Sequence, residues 1–159
     1  MKPRVALFVD VQNIYYTTKH GFGRNFDYNA LWAQVSDKYQ IDSASAYAIA
    51  STDPKQRQFH HILRGIGFEV KLKPYIQRRD GSAKGDWDVG IALDVFELAP
   101  NVDRVVLLSG DGDFELLVER IKARFNTSVT LVSVEQLTAQ GLIDSAQEYW
   151  PVNDTLLLG

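Results

Sequence analysis

Two apolar runs constrain this chain more than any other feature: Val5-Ala6-Leu7-Phe8-Val9 and Val105-Val106-Leu107-Leu108. Neither alternates apolar with polar residues, so each reads as a strand covered on both faces. In a globular chain that pattern belongs to a parallel sheet flanked by helices. Each run leads into acids: Asp10-Val11-Gln12-Asn13 follows the first, and Ser109-Gly110-Asp111-Gly112-Asp113-Phe114 follows the second.

Strand and helix patterns alternate along the rest of the chain. Helices are expected over Asn29 to Lys38, after the Asp53-Pro54 start signal, over Asp88 to Ala99, over Glu115 to Arg124 and near Gln136 to Ala146. Further strands are expected over Ser45 to Ala50, Phe68 to Ile76 and Val129 to Val134, with a loop from Gln77 to Gly85. On the Asp53 helix Phe59, Ile62, Leu63 and Ile66 define the buried face. On the Asp88 helix that face is Val89, Ala92, Leu93 and Phe96, widened by Ile91, Val95 and Leu98. Five β segments joined by helices predict an α/β fold with a mostly parallel sheet. The first and fourth strands are the most apolar and hence central, which gives the order 3-2-1-4-5. The crevice then opens between strands 1 and 4 at their C-terminal ends, where such sheets bind ligands. Asp10, Asp111 and Asp113 fall on that edge, and the helix that starts at Asp88 adds a fourth acid.

A length of 159 residues suits a single domain over 1–159, with 147–159 as a C-terminal tail. No run approaches the roughly 18 apolar residues of a membrane span. With no cysteine there is neither a disulfide framework nor a thiolate metal site. A cytoplasmic protein that does not engage membranes is the expectation. The net charge of -3 excludes a globally basic nucleic-acid binder. Charge is unevenly distributed, however: Lys71, Lys73, Arg78, Arg79 and Lys84 face only Asp80 between Lys71 and Lys84, with Tyr75 inside that window and Trp87 just beyond it. A basic strip beside clustered acids points to a polyanionic substrate.

Taken singly, each acid has an ordinary use. Asp10 suits a turn or helix cap, Asp113 and Asp88 suit helix caps, and Asp86 suits an exposed position. Asp94 lies around 120° from Asp88 on the helix and suits backbone or cation bonding. His20, His60 and His61 read as surface groups. Joint convergence of Asp10, Asp88, Asp111 and Asp113 is a different matter. Two carboxylates about 4 Å apart repel by about 4 kcal/mol at an effective dielectric of 20. Protonation or a cation must relieve this. Oxygen-only ligands favour Mg²⁺ or Mn²⁺ over zinc. Such an ion suits phosphodiester hydrolysis, with Lys84, Arg78, Arg79 and Lys73 available to hold backbone phosphates.

At these residues the chain resembles the NYN domain family, PIN-like nuclease relatives that include the LabA-like group. The resemblance rests on Phe8-Val9-Asp10-Val11-Gln12-Asn13, on Lys84-Gly85-Asp86-Trp87-Asp88-Val89 followed by Ala92-Leu93-Asp94, and on Ser109 to Phe114, and it spans roughly residues 4 to 135. It implies a PIN-like three-layer sandwich and a Mg²⁺- or Mn²⁺-dependent ribonuclease site with RNA as partner. It also implies Asp10, Asp88, Asp111 and Asp113 as the acids, with Asn13 and Ser109 orienting ligands or a water. The family commonly has one residue between its Lys-Gly pair and the acid, whereas Asp86-Trp87 precede Asp88 here. Either Asp86 or Asp88 then faces the metal; Asp88 is preferred because Val89, Ala92 and Leu93 set the helix phase behind it.

Two other readings compete. One is a non-catalytic RNA-binding or regulatory module on the same fold, since a fold and even a site persist without turnover. The other is a haloacid-dehalogenase-like phosphatase, which requires a second Asp two positions after the first, where Gln12 stands. The apolar breadth of the 88–99 helix and the tail leaves room for a homodimer.

Overall fold

Alternation along the first strand, β1 (Arg4–Asp10), divides the molecule into layers. Val5, Leu7 and Val9 point into one apolar core, and Ala6 and Phe8 into the other, all fully buried. The computed structural model describes residues 1–74, 76–77, 83–84 and 86–159, without the side chains of 76–77 and 83–84. Helices α1 (Val11–Phe22), α2 (Tyr28–Lys38) and α3 (Pro54–Ile66) contribute to the first core. Helices α4 (Asp88–Leu98), α5 (Glu115–Phe125) and α6 (Gln140–Ser145) contribute to the second.

The other strands are β2 (Gln40–Ile49), β3 (Glu69–Lys73), the short β4 (Ile76–Gln77) and β5 (Ala83–Lys84), then β6 (Arg104–Leu108), β7 (Ser128–Ser133) and β8 (Glu148–Pro151). The main sheet runs β3-β2-β1-β6-β7-β8, and every neighbouring pair in it is parallel. Its first five positions reproduce the expected 3-2-1-4-5 order. The sixth strand, β8, comes from the segment expected to be a tail. It lies on the edge, where Pro151 at its end costs no interior ladder bond. The rest of that segment packs back onto the domain: Val152, Leu156 and Leu157 are buried, and the Asp27 and Leu158 N–H groups bond the Leu156 and Asn25 carbonyls across the two segments.

Other boundaries moved for local reasons. Helix α1 was not expected. Asp10 caps it by accepting the Asn13 N–H, Gly23 closes it in a left-handed conformation at φ 65°, and Thr17 and Thr18 direct their hydroxyls to carbonyls within the helix. The strand expected over Phe68 to Ile76 stops at Lys73, and Ile76–Gln77, at the junction with the expected loop, pairs antiparallel with Ala83–Lys84 within it.

The phase of α4 differs from the sequence expectation. Ile91 and Val95 form its buried stripe, whereas Val89 and Leu93 are 71% and 64% exposed and Phe96 is also exposed. The helix is apolar nearly all round, so either stripe satisfied the periodicity, and packing on β1 and β6 chose the second. On α3, Ile62 is exposed, and His60, expected on the surface, is buried together with Leu63.

Candidate metal centre

The acids meet where β1 and β6 end side by side. Val9 pairs with Leu108, so Asp10 and Ser109 leave the sheet as neighbours, and both follow Phe8 and Leu107 onto the α4 face by the two-residue alternation of strands. Helix α4 starts on that same edge. Its first residue, Asp88, brings a carboxylate oxygen to within 4.8 Å of oxygens from Asp111 and Asp113, which are likewise within that distance of each other.

A hydrogen-bond network supports this trio from behind. Asp10 is buried and accepts from the Asn13 N–H at 3.4 Å and from the Ser109 hydroxyl at 3.1 Å. The Ser109 oxygen in turn accepts the Asp111 N–H at 3.2 Å. The Asn13 side-chain oxygen accepts the Gly110 N–H at 2.9 Å, and the Asp111 carboxylate accepts the Asp113 N–H at 2.9 Å. Two of these bonds, Ser109 to Asp10 and Gly110 to Asn13, connect residues almost a hundred positions apart, and together the five set the loop that carries the two acids. The glycines in that loop are there for close approach. A Cβ on Gly110 would lie 2.8 Å from Thr138 Oγ1 and 3.2 Å from the Leu137 carbonyl, and one on Gly112 would lie 2.8 Å from the Ala139 Cβ.

Electrostatics mark Asp88 as crowded by other acids. The Asp88 carboxyl is pushed up to about 7, first by burial and then by a proton held against Asp111 and by the charges of Asp111, Asp10 and Asp86. Burial raises Asp10 as well. Its two hydrogen bonds oppose the shift, and the charges of Asp111 and Asp86 add to it. Among the described residues, no lysine or arginine forms an ion pair with any acid of the cluster. Three carboxylate oxygens so close, with no paired cation among the described residues, could hold a divalent metal ion.

Of the expected site residues, Asp88, Asp111 and Asp113 come together. Asp10 lies outside that trio, with both carboxylate oxygens engaged, yet near enough for its charge to act on Asp88. Asp86 is exposed and outside the trio; its side chain accepts the Asp88 N–H at 3.3 Å and so caps the turn that presents Asp88. Of the two, Asp88 is the one in the trio, while the α4 phase expected behind it is not the one observed. Asn13 and Ser109 are positioning residues of the acidic loop. Lys73 lies alongside, with its ammonium 4.7 Å from the Trp87 ring centre and 2.9 Å from the Asp86 carbonyl. Arg78, Arg79 and the Lys84 side chain lie outside the described residues.

Sequence reasoning missed the group that braces α4 against the sheet. The Trp87 indole N–H donates to the Ala48 carbonyl at 2.8 Å, and its ring meets Tyr47 edge-on. Asp94 accepts from the Tyr47 hydroxyl at 2.7 Å and the Lys71 ammonium at 2.8 Å, the cation bonding expected of it. The parity of Tyr47 and Lys71, paired across β2 and β3, was the available signal.

The fold is a parallel α/β sheet with acids gathered at the C-terminal ends of its central strands. The chain belongs to the NYN domain family, whose model matches residues 4–153. It is 30% identical over 95% of its length to the low amplitude and bright protein LabA of Synechococcus elongatus, covering 84% of that sequence. A crystal structure of a Vibrio parahaemolyticus protein of unknown function is 62% identical and superposes with a TM-score of 0.94, covering 99% of this chain and 97% of the other. Ribokinase from Giardia lamblia, at 12% identity and a TM-score of 0.50 over 95% of this chain and 58% of its own, resembles it in fold alone. Among the described residues, no helix is long and apolar enough to cross a membrane.

Proposed function

We propose that this protein is a metal-dependent endoribonuclease that hydrolyses RNA phosphodiester bonds. The observation that carries the reading is the convergence of three carboxylate oxygens within 4.8 Å with no cation paired to them among the described residues. Asp88, Asp111 and Asp113 would hold Mg²⁺ or Mn²⁺, and Asp10 would supply further negative charge behind them. An ion bound there lowers the pKa of a coordinated water and stabilises charge on a phosphoryl oxygen. Ser109 and Asn13 keep the acidic loop in register with Asp10, so the ligand oxygens are oriented before substrate arrives. Lys73, with Arg78, Arg79 and Lys84 of the same strip, would attract the RNA backbone to this edge.

The test is a metal titration of pure protein, read by thermal shift and by cleavage of an end-labelled mixed RNA pool. Cleavage is expected with Mn²⁺ or Mg²⁺ and not with EDTA, and Asp111→Asn should remove it. Because Asn retains the cap on the Asp113 N–H while relieving repulsion, that variant should melt no lower than wild type in EDTA. RNA binding by wild-type protein without turnover in either metal would replace the enzyme with a regulatory RNA-binding module.

A further inference from the structure

Across the rim of the sheet from the acids lies a second concavity that the metal site does not use. It has a volume of about 420 Å³ and opens between the start of α1, the start of α3 and the end of β2. That size is within the range of small-molecule sites, about 300–1,000 Å³. Gln12, two residues after Asp10, is on its wall, and Ala48 and Ile49 line it just beyond Tyr47, the register partner of Asp10. The concavity and the acid trio therefore flank the same strand end from opposite faces.

The lining carries a specific chemistry. Tyr15 and Tyr16 stand at it 49% and 61% exposed, with ring centres 5.7 Å apart and planes at 71°. Rings exposed to this extent on α1 serve no core. Phe59 forms part of the wall, and His60 is buried at 3% exposure. Gln12, Gln56 and Asn25 contribute amides, and among the described lining residues none carries a formal charge at neutral pH. None of these side chains offers a phosphate a countercharge. A flat, uncharged, hydrogen-bonding ring suits them, because aromatic faces stack on it while amides and a neutral imidazole offer both donors and acceptors to its edge.

We propose that this cleft is a nucleobase subsite, which takes a base of single-stranded RNA while a neighbouring phosphate lies at Asp88, Asp111 and Asp113. The proposal rests on the ribonuclease reading of the acidic edge and adds to it a place for one base, which must be unpaired to enter. Tyr15 and Tyr16 supply the stacking surface, and Gln12 and Gln56 contact the edge of the base.

The test uses the full chain in two arms. In the first, each of the four ribonucleosides, uncharged and needing no metal, is titrated at millimolar concentration against isotope-labelled protein. Amide shifts are expected to cluster at Gln12, Tyr15, Gln56 and His60, and Tyr15→Ala should abolish them. In the second, the Asp111→Asn variant is titrated with a single-stranded oligoribonucleotide and with an abasic version of the same length. Tyr15→Ala should weaken binding of the intact strand by about tenfold, the usual scale of one lost stacking contact, and leave binding of the abasic strand unchanged. Both tyrosines are exposed, so their replacement leaves the core intact, and Gln56→Leu provides an independent check on edge contacts. Nucleosides that leave the cleft unshifted, or a loss that is equal for the abasic strand, would overturn the subsite. Nucleosides bound in the cleft by a protein that binds no RNA would overturn the ribonuclease reading while leaving the base site standing.

Discussion

Helix α4 carries two aspartates with opposite fates. Asp88, at its first turn, faces Asp111 with the charges of Asp10 and Asp86 close by, and its carboxyl is lifted to about 7. Asp94, further along, is also pushed up by burial, but hydrogen bonds from Lys71 and Tyr47 and the Lys71 charge outweigh that and hold it below the ordinary carboxylate range. Residue type and helix are shared; the neighbours differ. Where the fold supplies a cation, the acid is a structural tie between α4 and β3. Where it gathers only other acids, a proton or a cation has to relieve their repulsion.

The sharpest way to break this comparison is to neutralise each acid in turn. Asp88→Asn should lower Mn²⁺-dependent RNA cleavage by about 10²–10³-fold, the scale of losing one stabiliser of developing charge, whereas Asp94→Asn should leave most of it. Equal losses in a cleavage assay would mean that Asp94 also belongs to the reacting site. Stability should respond in the reverse sense. Lys71→Met leaves Asp94 without its cation and should cost about 1–3 kcal/mol in denaturant unfolding. Adding Asp94→Asn should recover part of that cost in a double-mutant cycle.

The pH dependence of the metal-free protein sharpens the contrast further. An acid whose folded pKa, about 7, exceeds its ordinary 3.8 contributes stability that is complete below the lower value and is lost as pH rises through the higher one. Without metal, the melting temperature should therefore be higher near pH 5 than near pH 8. Mn²⁺ at the higher pH should close the gap, and Asp88→Asn should narrow it. A melting temperature that rises with pH in EDTA would contradict the crowding of acids. The smallest effect is expected at Lys73. Replacing it with alanine should reduce the slope of log binding constant against log salt for RNA by about 1; an unchanged slope would take Lys73 out of the RNA contact surface.

Much of this arrangement was legible in the residues. Val5 to Val9 and Val105 to Leu108 are apolar without alternation, and only central parallel strands bury both faces, so their adjacency and the strand order followed. The acids directly after them had to fall on one edge. Less accessible was anything decided by a choice between equivalent surfaces. Helix α4 offers Val89 and Leu93 or Ile91 and Val95 as its inner stripe, and hydropathy alone does not distinguish them. Helix α1 was hidden by Tyr15, Tyr16, Thr17 and Thr18, residues that favour strands in isolation but here follow a capped turn at Asp10. The edge strand β8 was hidden by Pro151.

The sequence by itself determined the layered architecture and the concentration of negative charge at one rim, because periodicity and chain direction are local properties that survive any packing. Tertiary structure decided the division of labour among the acids. Asp88 joins Asp111 and Asp113, Asp10 stands behind them on Ser109 and Asn13, and Asp94 is neutralised by Lys71. A carboxylate's state depends on which charges and hydrogen-bond donors lie within a few ångströms, and those come from distant parts of the chain.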